Sequence, residues 1–274
     1  MATVNTNPGA LIALQNLNAT NRELETVQNR LNTGLAVASA KDDGAIFAIA
    51  QNQRADVASL SVVGQSLDRA ISGVDVALAA GEAVSDLLVE LKEKALAASD
   101  ASLDATSRAA INQDFTALRD QITQVISNAE FNGINLLNNT TAGIVALASA
   151  DGQSTITVTD EDFRLSGSII TITAGTQVNT QDAASVALAA LDTSLNNVNQ
   201  ALARLGTGSK TLEIQNTFNT KVSDALVEGI GNLVDADLAR ESANLQALQV
   251  KQQLGVQALS IANQAPSTIL ALFR

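Results

Sequence analysis

The sequence predicts a mainly α-helical chain in which long coiled-coil helices from both termini pack together, with a small central β-hairpin and no large outer domains. Three observations carry this. Hydrophobic residues make up 46% of the 274 residues but aromatics only 2%, without Trp or Tyr, so any core must be Ala, Leu, Val and Ile, which suits close helix-on-helix packing. The two prolines, Pro8 and Pro266, stand near the ends and leave everything between them free to be helix. Apolar residues recur at three- and four-residue spacing in both terminal stretches and in long runs between them.

The first helix runs from Ala10 to Leu35. Leu17, Leu24 and Leu31 are seven apart, Leu14 and Leu35 lie on the companion position, and Asn21 and Gln28 interrupt the seam. Gly34 breaks the pattern. After Asp43 a second run places Leu60, Leu67, Val74, Gly81 and Leu88 on one heptad position, with Ile71 and Leu78 on its companion. That predicts a helix of about 50 residues, roughly 75 Å long. The N-cap residues of SDASLD, 99–104, turn the chain into a third helix marked by Ile111, Phe115, Leu118, Ile122 and Val125, with Gly133 as its left-handed stop. TITVT at 155–159 and SIITIT at 168–173 alternate like strands and are expected to pair as the hairpin, around EDFRLSG. Helical spacing resumes with Leu188, Leu191, Leu195, Val198, Leu202, Leu205 and Leu212 and runs through Ile230 to a joint at 231–237. The last helix has Leu238, Leu245 and Leu259 on one lattice, interrupted by Gln252.

Charge separates the ends from the middle. Net charge is −12, yet residues 1–40 hold only Arg22 and Arg30 against Glu23 and Glu25, and residues 242–274 only Lys251 and Arg274. The middle carries 12 basic and 26 acidic residues. Such a chain is not expected to bind nucleic acid or an anionic membrane surface. No basic residue precedes Arg22 and no apolar stretch approaches ~20 residues, so neither a cleaved signal peptide nor membrane insertion is expected. The chain has neither Cys nor His, which removes thiol nucleophiles, imidazole acid–base chemistry and most transition-metal sites. No catalytic residues, metal ligands or cofactor are expected. A hydrolase built on Asp and Ser is the competing class, and it would require a folded monomer with a concave pocket.

Three local groups invite chemistry. In ASAKDDGA, 38–45, the adjacent Asp42 and Asp43 point in different directions and suit an inter-layer joint and helix cap better than a paired acid and base. Asp160, Glu161 and Asp162, with Asp151 nearby, lack the spacing of a calcium loop and read as a solvated hairpin tip. GTGSK at 206–210 lacks the spacing and preceding strand of a phosphate loop. What remains is two nearly chargeless terminal seams that a single chain leaves unfinished. The expected self-assembly core is Leu14, Leu17, Leu24, Leu31 and Leu35 with Leu238, Leu245, Leu248, Leu259, Ile269, Leu270, Leu272 and Phe273.

QNRLNTGLAVASAKDDGAIFAIAQ at 28–51 joins a seam helix, a Leu-x-Thr-Gly turn and an Asp-Asp helix entry, and AEFNGINLL at 129–137 follows the third helix. ARLG at 203–206, VDADLARE at 234–241 and IANQAPSTILALFR at 261–274 mark the closing helices. On these motifs the chain resembles the bacterial flagellins at both ends. The resemblance implies a structural subunit that self-assembles into the extracellular filament of a swimming bacterium. Residues 1–40 plus 235–274 would form the inner coiled-coil layer, and 41–140 plus 182–234 the helical outer layer, with 141–181 as its hairpin region. It implies unfolded export through a type III apparatus, an export chaperone, other flagellins as co-subunits, and hook-associated junction and cap proteins as partners. The sister reading is a hook–filament junction protein. Many flagellins carry an Arg and a Leu where this chain has Glu90 and Lys94, in a segment contacted by Toll-like receptor five, while Asp114 keeps the family's acid. The resemblance therefore implies weak or absent receptor activation.

Overall fold

The computed structural model describes residues 6–271, with side chains through residue 264. The elements run α1 (Pro8–Thr33), α2 (Gly44–Ala98), α3 (Ala105–Asn128), β1 (Ile144–Leu147), β2 (Thr155–Val158), α4 (Gln181–Val234) and α5 (Leu238–Ala271). Two compact units emerge, Met1–Ala55 with Ala225–Arg274 and Asp56–Asp224, and both divisions fall inside α2 and α4.

In the central unit α2 and α4 run antiparallel. Asn219 Nδ2 donates to the Leu60 carbonyl, Asn216 Nδ2 to Asp68, and Lys92 pairs with Asp192. On the central-unit part of α2 the buried positions Leu60, Val63, Leu67, Ala70, Val74, Ala77, Gly81, Val84, Leu88, Leu91, Ala95 and Ala98 form an unbroken alternation of three and four, with Gly73 and Leu87 buried beside it. Ala184, Ala187, Leu191, Ser194, Val198, Ala201 and Leu205 continue it on α4. The companion position is therefore the +3 residue, not the +4 residue expected from Ile71 and Leu78. Those two, with Leu188, Leu195 and Leu202 on α4, are only partly buried and rim the core. Small +3 residues let the helices approach closely, so that Leu202 fills the space a side chain at Gly81 would need.

Asp104 caps α3, its carboxylate accepting from the Thr106 and Ser107 N–H groups. The helix stops at Asn128, and the buried Asn135 closes it, donating to the Ile126 carbonyl at 2.7 Å. Gly133 is left-handed, but not as the helix stop. Asn132 and Gly133, with φ of 51° and 81°, form the corners of a tight turn across which Phe131 and Ile134 exchange N–H to O=C bonds. Two successive positive φ angles are what the primed turn demands, and Asn-Gly is the pair that supplies them.

The hairpin partner of Thr155–Val158 is Ile144–Leu147, not SIITIT. The latter segment buries Ile169, Ile170 and Ile172 but forms only an isolated bridge between Leu165 and Ile170: Thr171 N–H donates to Ser194 Oγ, Thr173 N–H to Thr176 Oγ1, and the Ile172 carbonyl accepts from the Ser166 N–H. The expected solvated tip is also corrected. The hairpin turns at 148–154, whereas Glu161 is buried and receives a bidentate pair from Arg204 Nε and Nη2 at 2.6 and 2.7 Å. GTGSK lies within α4.

In the terminal unit α1 and α5 pack antiparallel. Asn7 caps α1 with Pro8 in its first turn, Gly34 ends it in the left-handed conformation, and Asp237 caps α5 through the Ala239 and Arg240 N–H groups. The two joints pair with each other: Ala36 N–H donates to the Val234 carbonyl and Ala236 N–H to the Gly34 carbonyl, with Val37 and Val234 buried beside them.

Candidate assembly interface

The α1–α5 contact is a narrow seam. From α1 it takes Leu17, Leu24, Val27 and Leu31; from α5 it takes Leu245, Leu248, Gln252 and Leu259. Only Val27 and Leu248 are buried, and the other six are intermediate. Polar bonds fix the register at three heights: Asn7 Nδ2 to the Ala262 carbonyl at 2.6 Å, Gln252 Nε2 to Asn21 Oδ1 at 2.8 Å, and Arg30 to Glu241 at 3.3 Å. Asn21 and Gln28 are both exposed and do not interrupt the seam, whose companion positions are Ala13, Thr20 and Val27.

The structure distributes the expected core residues unevenly. Leu17, Leu24, Leu31, Leu35, Leu245, Leu248 and Leu259 face inward, whereas Leu14 and Leu238 are 43% and 48% exposed. Leu272 and Phe273, and the side chains of Ile269 and Leu270, lie outside the described residues.

A second apolar face was not anticipated. Val250, Leu254 and Ile261 are 56%, 58% and 69% exposed, and with Ala243 they form a stripe on α5 away from the seam positions, bordered by Ala247 at the cleft edge. Leu11 and Ile12 of α1 are likewise exposed. The signal was in the sequence as a second run at three, four and seven spacing; the Leu238–Leu245–Leu259 lattice masked it. A helix with apolar residues on two faces needs more than one partner to bury them, and one partner helix covers only one side.

Beside the seam, Arg22, Glu23, Val27, Arg30, Leu248 and Lys251 line an open cleft of about 480 Å³. Its floor is apolar and its rim mostly cationic.

At the joint the two aspartates divide the work. Asp43 Oδ1 accepts from the Ala45 and Ile46 N–H groups and caps α2. Asp42 Oδ2 accepts from the Ala38 and Ser39 N–H groups and the Ser39 hydroxyl, closing the preceding turn; the Ser39 bonds hold its carboxyl below the usual carboxylate range. Neither faces a shared substrate position.

On the other unit Glu90 is exposed, and Lys94 Nζ pairs with Asp114 Oδ2 at 2.7 Å. Among the described residues no group of three or more acidic side chains is placed to hold a metal, and no helix is long and apolar enough to cross a membrane.

Two family models match the chain: the bacterial flagellin N-terminal helical region over residues 4–142 and the C-terminal helical region over 188–273. Flagellin FljM of Caulobacter vibrioides is 54% identical over 271 residues, covering 99% of this chain and 98% of its own. A flagellin of Brucella melitensis is 37% identical over the full length of both. Among solved structures, a putative flagellar hook-associated protein from Vibrio parahaemolyticus superposes with a TM-score of 0.59 at 15% identity, covering 71% of this chain and all of that one.

Proposed function

The chain belongs to the bacterial flagellin family, and from that membership we infer that it is a structural subunit of the extracellular flagellar filament, self-associating to serve swimming motility. The observation that carries this reading is the unfinished terminal pair: α1 and α5 bury one narrow seam and leave Leu11, Ile12, Val250, Leu254 and Ile261 in solvent. Such faces are completed by further copies of the same two helices. The inner filament layer is then residues 1–40 and 235–274, the surrounding layer is 41–140 and 182–234 with the hairpin region 141–181, and Asp42 and Asp43 shape the connector between them.

With no large outer domain, the helical layer itself is the filament surface. The junction reading gains nothing specific: the 15% likeness to a hook-associated protein is one of fold, and the relatives at 54% and 37% identity are flagellins. Unfolded type III export, a chaperone masking the C-terminal helix, co-assembly with other flagellins, and end contacts to junction and cap proteins complete the proposal. Weak activation of Toll-like receptor five belongs to it as well, and the Lys94–Asp114 ion pair supports it by occupying the acid that the family presents.

The test is purified monomer incubated with short filament seeds and viewed by electron microscopy, beside a chain lacking 1–35 and 240–274. Long filaments from the intact chain alone are expected. Soluble monomer in both samples overturns the reading.

A further inference from the structure

We propose that the cleft rimmed by Arg22 and Lys251 receives the Glu25 carboxylate of a second copy of this chain, so that one ion-paired contact sets the lateral register between neighbouring subunits. The inference rests on the filament reading and adds to it the contact that fixes height.

Four observations converge. From Pro8 to Asn21 α1 carries no charge, and its four charged residues all fall between 22 and 30. From Ser242 to Gln264 α5 carries only Lys251. The antiparallel register, fixed where Gln252 meets Asn21, brings that lone ammonium to the height of the α1 charges. Along α1 and the described part of α5, charge is thus gathered in one band, 22–30 on the first helix and 240–251 on the second.

Within one chain the band is not neutralised pairwise. Arg22 and Lys251 have no carboxylate partner among the described residues, and the Arg30–Glu241 pair makes a single 3.3 Å contact that leaves Arg30 Nε and Glu241 Oε2 without partners. The cleft holds three cations, Arg22, Arg30 and Lys251, against one lining acid, Glu23. Arg22 and Lys251 are exposed in the single chain, and covering them with a neighbouring subunit is costly unless an anion meets them there.

The anion stands on the opposite flank. Successive helix residues turn by about 100°, so Glu23 and Glu25 lie to either side of the seam residue Leu24. Glu23 lines the cleft; Glu25 is exposed on the far side and unpaired among the described residues. Basic cleft and acidic flank are therefore different patches at one height. Such a contact is heterologous, and repetition of a heterologous contact builds rings or open helices rather than closed dimers.

The experiment uses the full chain at low ionic strength, with critical concentration for growth on seeds as the readout and circular dichroism confirming helical monomers. Glu25→Lys alone, and Arg22→Glu with Lys251→Glu, are each expected to raise the critical concentration about tenfold or more by setting like charges face to face. The triple variant carrying all three changes is expected to recover, and so is an equal mixture of the two defective chains. If the unchanged chain grows while Glu25→Lys grows equally well, or the triple variant stays defective, the pairing is wrong and the filament reading stands. If the unchanged chain does not grow, it is the filament reading that fails.

Discussion

Replacing Leu254 and Ile261 together with Gln separates folding from assembly. Both side chains are more than half exposed in the monomer, at 58% and 69%, and neither touches the α1 seam. Gln has nearly the helix propensity of Leu, and exposed substitutions of this kind shift stability by less than about 0.5 kcal/mol. Full burial of a Leu or Ile side chain is worth about 1.5–3 kcal/mol. With 58% and 69% of that burial left for neighbouring subunits to complete, the two positions contribute about 2–4 kcal/mol per subunit to polymerisation. At about 1.4 kcal/mol per decade, the critical concentration for seeded growth rises by roughly two orders of magnitude. Sedimentation of polymer across a monomer dilution series measures it, with thermal unfolding of the monomer as control. A critical concentration within about twofold of the unchanged chain would refute burial of this face on assembly.

Other consequences concern individual parts of the chain. Leu245→Asp with Leu248→Asp places charges in the seam and is expected to abolish filaments in electron micrographs, as is deletion of residues 267–274. Phe115, fully buried in the central unit, is expected to cost about 3–5 kcal/mol on truncation to Ala in denaturant unfolding of the monomer. Asp43→Ala removes the α2 cap and is expected to cost about 1 kcal/mol, read as faster amide exchange at Ala45 and Ile46. The Asp104 carboxyl is held below its usual range by the Ser107 N–H, the Ser107 hydroxyl and the Thr106 N–H. Its folded value lies below its unfolded one, so the cap's contribution is complete above the ordinary carboxylate range and is lost as pH falls through the lowered value. Carbon-detected NMR titration should show Asp104 titrating below an unstructured Asp, and Ser107→Ala should shift it back up.

Helix existence and most helix ends, though not the end of α3, were legible because their causes are local. Gly34, Asp43, Asp104 and Asp237 mark boundaries through bonds to residues at most four positions away. Leu17, Leu24 and Leu31, like Leu60 through Leu88, declare their face by heptad spacing alone. What the sequence hid was set by tertiary partners. IVAL at 144–147 lacks strand alternation, and its strand identity comes from pairing with Thr155–Val158. SIITIT has the alternation, yet Ser194 and Thr176 take the N–H groups a strand partner would have taken. Small +3 residues such as Ala70, Ala77, Ala187 and Ala201 carry little hydrophobic signal, so the larger Leu and Ile at +4 mark the edge of the core more strongly than its centre. On the exposed stripe of α5, Val250, Leu254 and Ile261 escaped because one apolar lattice sufficed to explain a two-helix seam.

The most direct test of a filament built by burying the outer faces of α1 and α5 uses the absence of cysteine from the chain, which makes Ile261→Cys a single chemical probe. Its maleimide labelling rate is measured in the monomer and after growth onto seeds. Rapid labelling in the monomer and strong protection in the filament is the predicted result. Equal rates in the two states would contradict the account, because the face it assigns to neighbouring subunits would still be in water.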